Sequence, residues 1–221
     1  YAVSAAIPNG GITNFQTILL KSDFGYTTKQ TLVISIAISF LSWLGVPLFG
    51  YASQFCVKKK LKFFGSSLIW SIISLVIVLV GVCLLAFFES SKQGRLAGLI
   101  LVLLSPVALI CVLANISANC LGYTKKWTAT SITLVGYCAG NIAGPHTFIA
   151  AQAPHYQGAK VTLVVCFAAG IALLTALYSL NLSENKRRDR YAKETSEENK
   201  IQNIEFADLT DFENPMFRYT L

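Results

Sequence analysis

The chain has 221 residues, of which 54% are hydrophobic and only 13% are charged. An average soluble domain carries about 25% charged residues, so this composition argues against a soluble globular enzyme. The mean hydropathy of +0.56 favours several membrane spans of about 20 apolar residues each. The net charge of +7 comes from short basic loops rather than an arginine-rich stripe, which argues against a nucleic-acid-binding surface.

Six apolar runs follow one another along the chain, separated by short charged segments. Each run is long enough to cross the ~30 Å hydrocarbon core of a bilayer as a helix, a structure that satisfies its own backbone hydrogen bonds there. The sequence therefore predicts an all-α integral membrane domain over residues 1–181. The six predicted transmembrane helices cover residues 1–20, 31–54, 66–88, 96–118, 128–151 and 161–181.

Lysine and arginine are distributed unevenly between the loops on the two sides of the predicted domain. Ten lie after the second span, after the fourth span and in the segment up to Arg190 after the sixth, and five lie in the loops on the opposite side. Basic residues concentrate on the cytoplasmic side of membrane proteins. The first set of loops and the C-terminus are therefore predicted to be cytoplasmic.

Residues 182–221 form a charged C-terminal tail that is poor in aliphatic residues up to about Gln202, and we predict that this part is largely disordered, with room for a short helix. The end of the tail, from Phe206 to Tyr219, is richer in aromatic residues. Two interpretations of this end are open, a short docking motif and an unstructured solvated segment.

The chain begins without Met in an apolar stretch, so we expect it to start inside a longer protein.

Polar residues lie on one face of the first span, beside a sequence that weakens a helix. Asn9 and Thr13 are at helical spacing, and Pro8, Gly10 and Gly11 disturb the backbone hydrogen bonds around them. This face either lines a substrate cavity at a kink or forms interhelical hydrogen bonds, which contribute about 0.6 kcal/mol each in membranes.

Glycines recur at every fourth residue of the fifth span, at Gly136, Gly140 and Gly144, and Pro145 follows at once. Two overlapping GxxxG patterns result, and such patterns let two helices approach closely. We therefore predict that these residues form a helix-packing surface.

A polar face lies beside these glycines. Thr133, Tyr137 and Asn141 line up at helical spacing, and His146 follows near the outer end of the span. We interpret Asn141 as either a cavity-lining residue or an interhelical bonding group. His146, whose side chain titrates between pH 5 and 8, is either functional or structural.

The sequence lacks the patterns typical of catalysis, metal binding or an intramembrane proton relay. No Asp, Glu, Lys or Arg lies within the six predicted spans, where such residues mark ion paths. There is no HExxH motif, phosphate-binding glycine loop or nucleophile–base pair, and the six cysteines form no CxxC pair. We therefore predict no enzyme activity, no metal site and no cofactor.

Several segments carry a family resemblance: residues 8–15, residues 122–126 with 136–148, and the end of the tail from Asp208 to Tyr219. Together they are similar to the fungal allantoate permease family, in the anion:cation symporter branch of the major facilitator superfamily. The resemblance covers essentially the whole chain. It implies that the six spans are helices seven to twelve of a twelve-helix transporter, with residues 8–15 fitting the seventh helix.

The resemblance implies a proton-coupled permease of the plasma membrane that imports a small organic anion, such as a ureide or a vitamin-like carboxylate. The partners that it implies are the anion and the proton as transported species, the lipid bilayer and a missing N-terminal six-helix half. The alternative is a non-transporting membrane sensor, or a truncated transporter-like protein that acts through helix–helix association. The candidates for lining the substrate cavity are Asn9, Thr13, Asn14, Thr133, Tyr137, Asn141 and His146.

Gly50 and Gln54, followed by Lys58, Lys59 and Lys60, resemble the superfamily's cytoplasmic loop motif of a glycine, an acid and basic residues. Gln54 stands where an Asp is usual, so the charge of the latch attributed to that loop is missing. We expect this motif to lie at the cytoplasmic end of the second span.

Overall fold

The computed structural model describes residues 1–22, 25–59, 65–87, 91–149, 152, 156–194, 210–214 and 216–220. Within these residues the chain forms seven α-helices and no strand, which confirms the all-α prediction. The helices are α1 (Ala2–Ser22), α2 (Thr28–Lys58), α3 (Ser67–Phe87), α4 (Lys92–Val102), α5 (Ser105–Asn119), α6 (Tyr123–Ala143) and α7 (Gln157–Glu194). A 3-10 turn at Gly144–Thr147 follows α6 directly.

The fourth apolar run folds as two helices rather than one. α4 ends at Val102, Leu103 and Leu104 form a turn, and α5 begins at Ser105 with Pro106 in its first turn. Proline has no amide hydrogen and clashes with the preceding turn inside a helix, so it is best accommodated where a helix begins. The span predicted over residues 96–118 is therefore interrupted.

The fifth apolar run also differs from the prediction, because α6 ends well before residue 151. The 3-10 turn follows it, and Phe148 then leaves helical geometry. At its other end the helix is preceded by Gly122, whose φ of +83° is a left-handed conformation that glycine adopts at little steric cost.

α3 lies at the centre of the helix bundle, packed against α4, α5 and α7. Leu75 of α3 is almost fully buried and belongs to one apolar cluster with Phe167 and Leu174 of α7. Gly81 and Gly98 allow close contact with α4, because a Cβ on Gly81 would lie only 2.8 Å from the carbonyl oxygen of Gly98. Small residues at such contacts are typical of helices packed within membranes.

Among the described residues, four helical segments are long and apolar enough to cross a membrane: Thr28–Cys56, Ser67–Phe87, Gln93–Asn119 and Gln157–Ala192. They correspond to α2, α3, the α4–α5 pair and α7. α1 and α6 have 21 residues each, or about 31 Å of helix, but their polar residues make them less apolar than these four segments. Membrane crossing by α1 and α6 therefore stays a prediction.

The tail is more ordered than its composition indicates. α7 continues to Glu194, so residues 182–194 are helical, and the helix that the prediction allowed in the tail is a continuation of α7; residues 195–209 lie outside the described residues. Ion pairs of Glu184 with Arg187 and Arg188 support this part of the helix. Residues 210–214 and 216–220 bond to the ends of α5, α6 and α7, so the structure favours the docking interpretation.

Candidate functional site

α1 and α6 pack against each other through small residues. A Cβ on Gly140 would lie 2.5 Å from the Cβ of Ala6, and a Cβ on Gly144 would lie 2.5 Å from a carbonyl oxygen of α1. On the facing side, a Cβ on Gly10 would lie 2.6 Å from the carbonyl oxygen of Asn141. Side-chain carbons do not approach other atoms this closely, so glycine at these three positions allows the two backbones to touch.

Gly136 lies at the looser end of the same contact. A Cβ there would lie 3.4 Å from the side chains of Ala2 and Val3, which is an ordinary van der Waals distance. The half-buried Pro145 is the second residue of the 3-10 turn that begins at Gly144. The three glycines of the predicted packing surface thus face α1 along one side of α6.

Three uncharged polar side chains meet beside this glycine contact. The amide nitrogen of Asn9 donates to the hydroxyl oxygen of Tyr137 at 2.9 Å and to the side-chain oxygen of Asn141 at 3.1 Å. The amide nitrogen of Asn141 donates to the backbone carbonyl of Tyr137 at 2.9 Å. These three residues, half-buried between α1 and α6, form what we call the polar cluster.

The polar cluster retains hydrogen-bonding capacity. Within the part of the chain that the structure describes, the hydroxyl proton of Tyr137 has no bonded acceptor and the side-chain oxygen of Asn9 has no bonded donor. The crevice beside them, lined also by Ala5, Pro106 and Leu109, has a volume of about 30 Å³. This volume holds about one water molecule and is too small for an organic anion.

The other cavity candidates are not bonded to the polar cluster. Thr13 and Asn14 are exposed on α1, and the Asn14 amide donates to the Gly10 carbonyl at 2.7 Å. The Thr133 hydroxyl donates to the carbonyl oxygen one turn earlier in α6 at 2.8 Å. His146 is exposed in the 3-10 turn. The structure therefore brings together Asn9 and two residues of α6, and leaves the remaining candidates separate.

The motif at the end of the second span lies on a helix rather than in a loop. Gly50 and Gln54 are exposed in the last turns of α2, and Lys58 is its final residue. Lys59 follows in a turn, with its ammonium group 4.7 Å from the centre of a phenylalanine ring of α2. Lys60 lies outside the described residues.

Sequence reasoning missed an aromatic cluster that holds the segment after α6 against α1. The rings of Phe15 and Phe148 stack with their centres 4.4 Å apart, and Tyr156 contacts both rings. Gly11 makes room for it, since a Cβ there would lie 2.7 Å from the Phe148 ring. No spacing in the sequence points to this cluster, because its members come from distant segments of the chain.

The chain is similar to curated transporters along essentially its whole length. It is 53% identical over 221 residues to allantoate permease of Saccharomyces cerevisiae, covering 100% of the chain and 41% of that protein. It is 46% identical to an uncharacterized transporter of Schizosaccharomyces pombe, over 97% of the chain and 40% of the relative. It is 28% identical to an MFS-type transporter of Penicillium expansum, over 97% of the chain and 42% of the relative. The chain thus spans about two fifths of the length of these proteins.

No family model and no solved structure matches the chain. Its apolar helices and its transporter relatives nevertheless agree in describing a membrane protein. The resemblance carried by the sequence motifs is confirmed: over its whole length, this chain is a relative of fungal allantoate permease, among transporters of the major facilitator type.

Proposed function

We propose that this chain is the C-terminal six-helix half of a proton-coupled permease that imports a small organic anion, such as a ureide or a vitamin-like carboxylate. Its similarity to allantoate permease supports the transport function and the substrate class. In this proposal α1 and α6 cross the membrane beside the four more apolar segments. We place the protein in the plasma membrane, as the family resemblance implies, with its C-terminus in the cytoplasm, as the distribution of basic residues predicts.

The polar cluster is the observation on which the proposed substrate contact rests. The Tyr137 hydroxyl can donate a hydrogen bond to a carboxylate, and the Asn9 oxygen can accept one from an amide group of the same substrate. The cluster is uncharged, so it supplies orientation rather than charge compensation. A ureide carries both kinds of group, which fits the paired donor and acceptor.

The substrate site needs the part of the protein that this chain does not include. A crevice of about 30 Å³ does not hold an organic anion, and the relatives are more than twice as long as the chain. Transporters of this general kind bind substrate near the bilayer midplane between two repeats and rock those repeats about it. We place the anion-binding cation and the proton-coupling acid in the missing half, since the spans predicted here contain neither.

The test is uptake of labelled allantoate by yeast cells that produce the protein carrying this chain. Asn141→Ala removes one acceptor that orients the Asn9 amide, so we expect uptake to fall roughly threefold, as for the loss of an interhelical hydrogen bond worth about 0.6 kcal/mol. Thr175→Ala is the control, because Thr175 is an exposed polar residue of α7 whose hydroxyl bonds to its own helix, and it is not a cavity candidate. The amount of protein at the cell surface is measured for each variant.

Three outcomes would contradict parts of the proposal. Normal uptake by both Asn141→Ala and Gly140→Leu, at normal surface amounts, would remove this half from the substrate pathway. An uptake rate that does not change with external pH or on addition of a protonophore would exclude proton coupling. No uptake of allantoate or related anions by the unaltered protein would favour the non-transporting alternative.

A further inference from the structure

The end of the C-terminal tail returns to the ends of three helices. Residues 210–214 and 216–220, which we call the clasp, bond to Asn119 at the end of α5 and to Lys125 in the first turn of α6. They also bond to Asn185 and Arg188 on α7. The clasp therefore joins elements that lie far apart in the sequence.

The residues of the clasp converge on Arg188 of α7. The residue is 6% exposed, and its guanidinium group donates to the backbone carbonyls of Asp211 at 2.8 Å, Phe217 at 3.0 Å and Asn214 at 3.2 Å. It also lies 4.9 Å from the centre of the Tyr219 ring. A buried cation is stable only when its donors are satisfied, and here the backbone carbonyls of the clasp and the Glu184 carboxylate, 2.9 Å from Arg188 Nε, satisfy them.

Asp211 joins α6 to this arrangement. Its carboxylate is paired with the Lys125 ammonium group and accepts a hydrogen bond from the Tyr219 hydroxyl at 2.9 Å. Burial alone raises the pKa of Asp211, but the bonds from Lys125 and Tyr219 outweigh it and hold the pKa below its usual value. Burial and the bond to Asp211 raise the pKa of Tyr219 to about 12. The carboxylate is therefore ionised and the phenol neutral at ordinary pH.

Two asparagines hold the last residues of the clasp. Asn185 donates to the carbonyl of Tyr219 at 2.8 Å and accepts from its amide at 2.9 Å. Asn119 does the same with Thr220, at 3.0 Å and 2.7 Å, and also accepts from the Thr220 hydroxyl. Each amide side chain is thus paired with a backbone unit in both directions. Such pairing fixes the main chain of the clasp in one register on α5 and α7.

We propose that the clasp positions the N-terminal end of α6 against α5 and α7. Asp211 of the clasp links Lys125 of α6 to Arg188 of α7. α6 packs mainly on α1 and more lightly on α5, so the clasp supplies its connection to α7 at this end. Lys125 lies on the same continuous helix as Tyr137 and Asn141, about 18 Å from the first of them. A shift of α6 at the clasp would therefore move two members of the polar cluster.

The test measures the distance between α6 and α7 by electron spin resonance on the protein that carries this chain. Spin labels are attached at Thr128→Cys on α6 and Ser183→Cys on α7, both exposed positions, after replacement of the native cysteines. Arg188→Ala removes the centre of the clasp, and we expect the distance distribution to broaden and its mean to shift by several ångströms. Arg187→Ala, whose side chain is 65% exposed and pairs with Glu184, should leave the distribution unchanged.

A second variant tests the proposal if Arg188→Ala does not fold. Asp211→Asn keeps the size of the side chain and removes its charge, so we expect the same broadening to a smaller extent. Its control is Glu213→Gln, an exposed carboxylate that bonds to Thr210 within the clasp. Unchanged distances in folded Arg188→Ala or in Asp211→Asn would overturn the proposal. The distance needs no substrate, so this result stands apart from the outcome of the uptake test.

Discussion

The polar cluster and the clasp both join distant parts of the chain through side-chain hydrogen bonds, but they use different chemistry. In the polar cluster, Asn9 bonds to two uncharged residues of α6, and the helices are held together by glycine contacts. At the clasp, Arg188 and Asp211 are both buried; Arg188 bonds to backbone carbonyls and to the Glu184 carboxylate, and Asp211 is paired with Lys125. The contact around the polar cluster depends on close packing, and the clasp depends on charge.

The difference fits the surroundings that we propose for the two regions, with α1 and α6 inside the membrane and the clasp beyond the ends of the predicted spans. A charge within the hydrocarbon layer is costly, so close packing of small residues is the available way to join two helices there. Beyond the ends of the predicted spans, backbone and side-chain groups can bond to a charged residue, and a buried ion pair is stable when each of its groups is fully bonded. The predictions below separate the two regions by what breaks each of them.

The largest effect is expected from Gly144→Ala. The added Cβ would lie 2.5 Å and 2.6 Å from backbone atoms of Ile7 and Gly11, which cannot rotate away. We expect the free energy of unfolding in detergent to fall by about 3 kcal/mol or more, at the upper end of overpacking effects. Gly136→Ala is the matched control, since its Cβ would meet neighbouring side chains at 3.4 Å and should cost little. Equal losses in both variants would contradict the close backbone contact.

A smaller effect is expected from acid on the clasp. Because the pKa of Asp211 is below its usual value near 3.8, the stabilisation by its charge is complete above pH 4 and is lost as the pH falls through the native value. A spin label at the exposed Met216→Cys should therefore become mobile only in strongly acidic solution. Lys125→Ala removes a bond that lowers this pKa, so the transition should move to higher pH.

Lys126→Ala is the control for that shift, because the neighbouring lysine is not paired with Asp211. Glu184, which pairs with Arg188, also titrates in acid, and it is unchanged in both lysine variants. Tyr219, with its pKa of about 12, stays neutral in this range. An equal transition pH for the two lysine variants would mean that the Lys125–Asp211 pair does not govern the clasp.

The glycine contact was partly predictable from the sequence. The spacing of Gly136, Gly140 and Gly144 predicts a close helix contact, but it does not name α1 as the partner. That choice depends on Gly10, which the sequence presents as a helix-weakening residue rather than as the other side of a contact. Local patterns describe one surface of a helix, whereas the pairing of two surfaces is a property of the whole fold.

The clasp was less predictable, for a physical reason. A charged tail is typical of a solvated segment, and Arg188 in the sequence is one of several neighbouring basic residues. Its burial depends on three backbone carbonyls supplied by residues 211, 214 and 217, and backbone acceptors leave no trace in the amino-acid sequence. The aromatic residues at the end of the tail were the available signal, and Tyr219 does pack against Arg188.

The smallest expected effect concerns the bond between Asn9 and Asn141. Interhelical hydrogen bonds in membranes contribute about 0.6 kcal/mol, so a double-mutant cycle of Asn9→Ala and Asn141→Ala should give a coupling near that value in detergent unfolding. The control cycle pairs Asn9→Ala with Asn14→Ala, which lies on the same helix and is not bonded to Asn9, and its coupling should be near zero.

The size of this coupling bears on function as well as on stability. A bond of about 0.6 kcal/mol is easily exchanged, so Asn9 and Asn141 can turn from each other to a substrate without loosening the helix contact that the glycines hold. A coupling above about 2 kcal/mol would instead make the pair a structural anchor, comparable to the bonds of the clasp to charged groups. It would then argue against Asn141 as a substrate contact and leave Tyr137 as the remaining donor on α6.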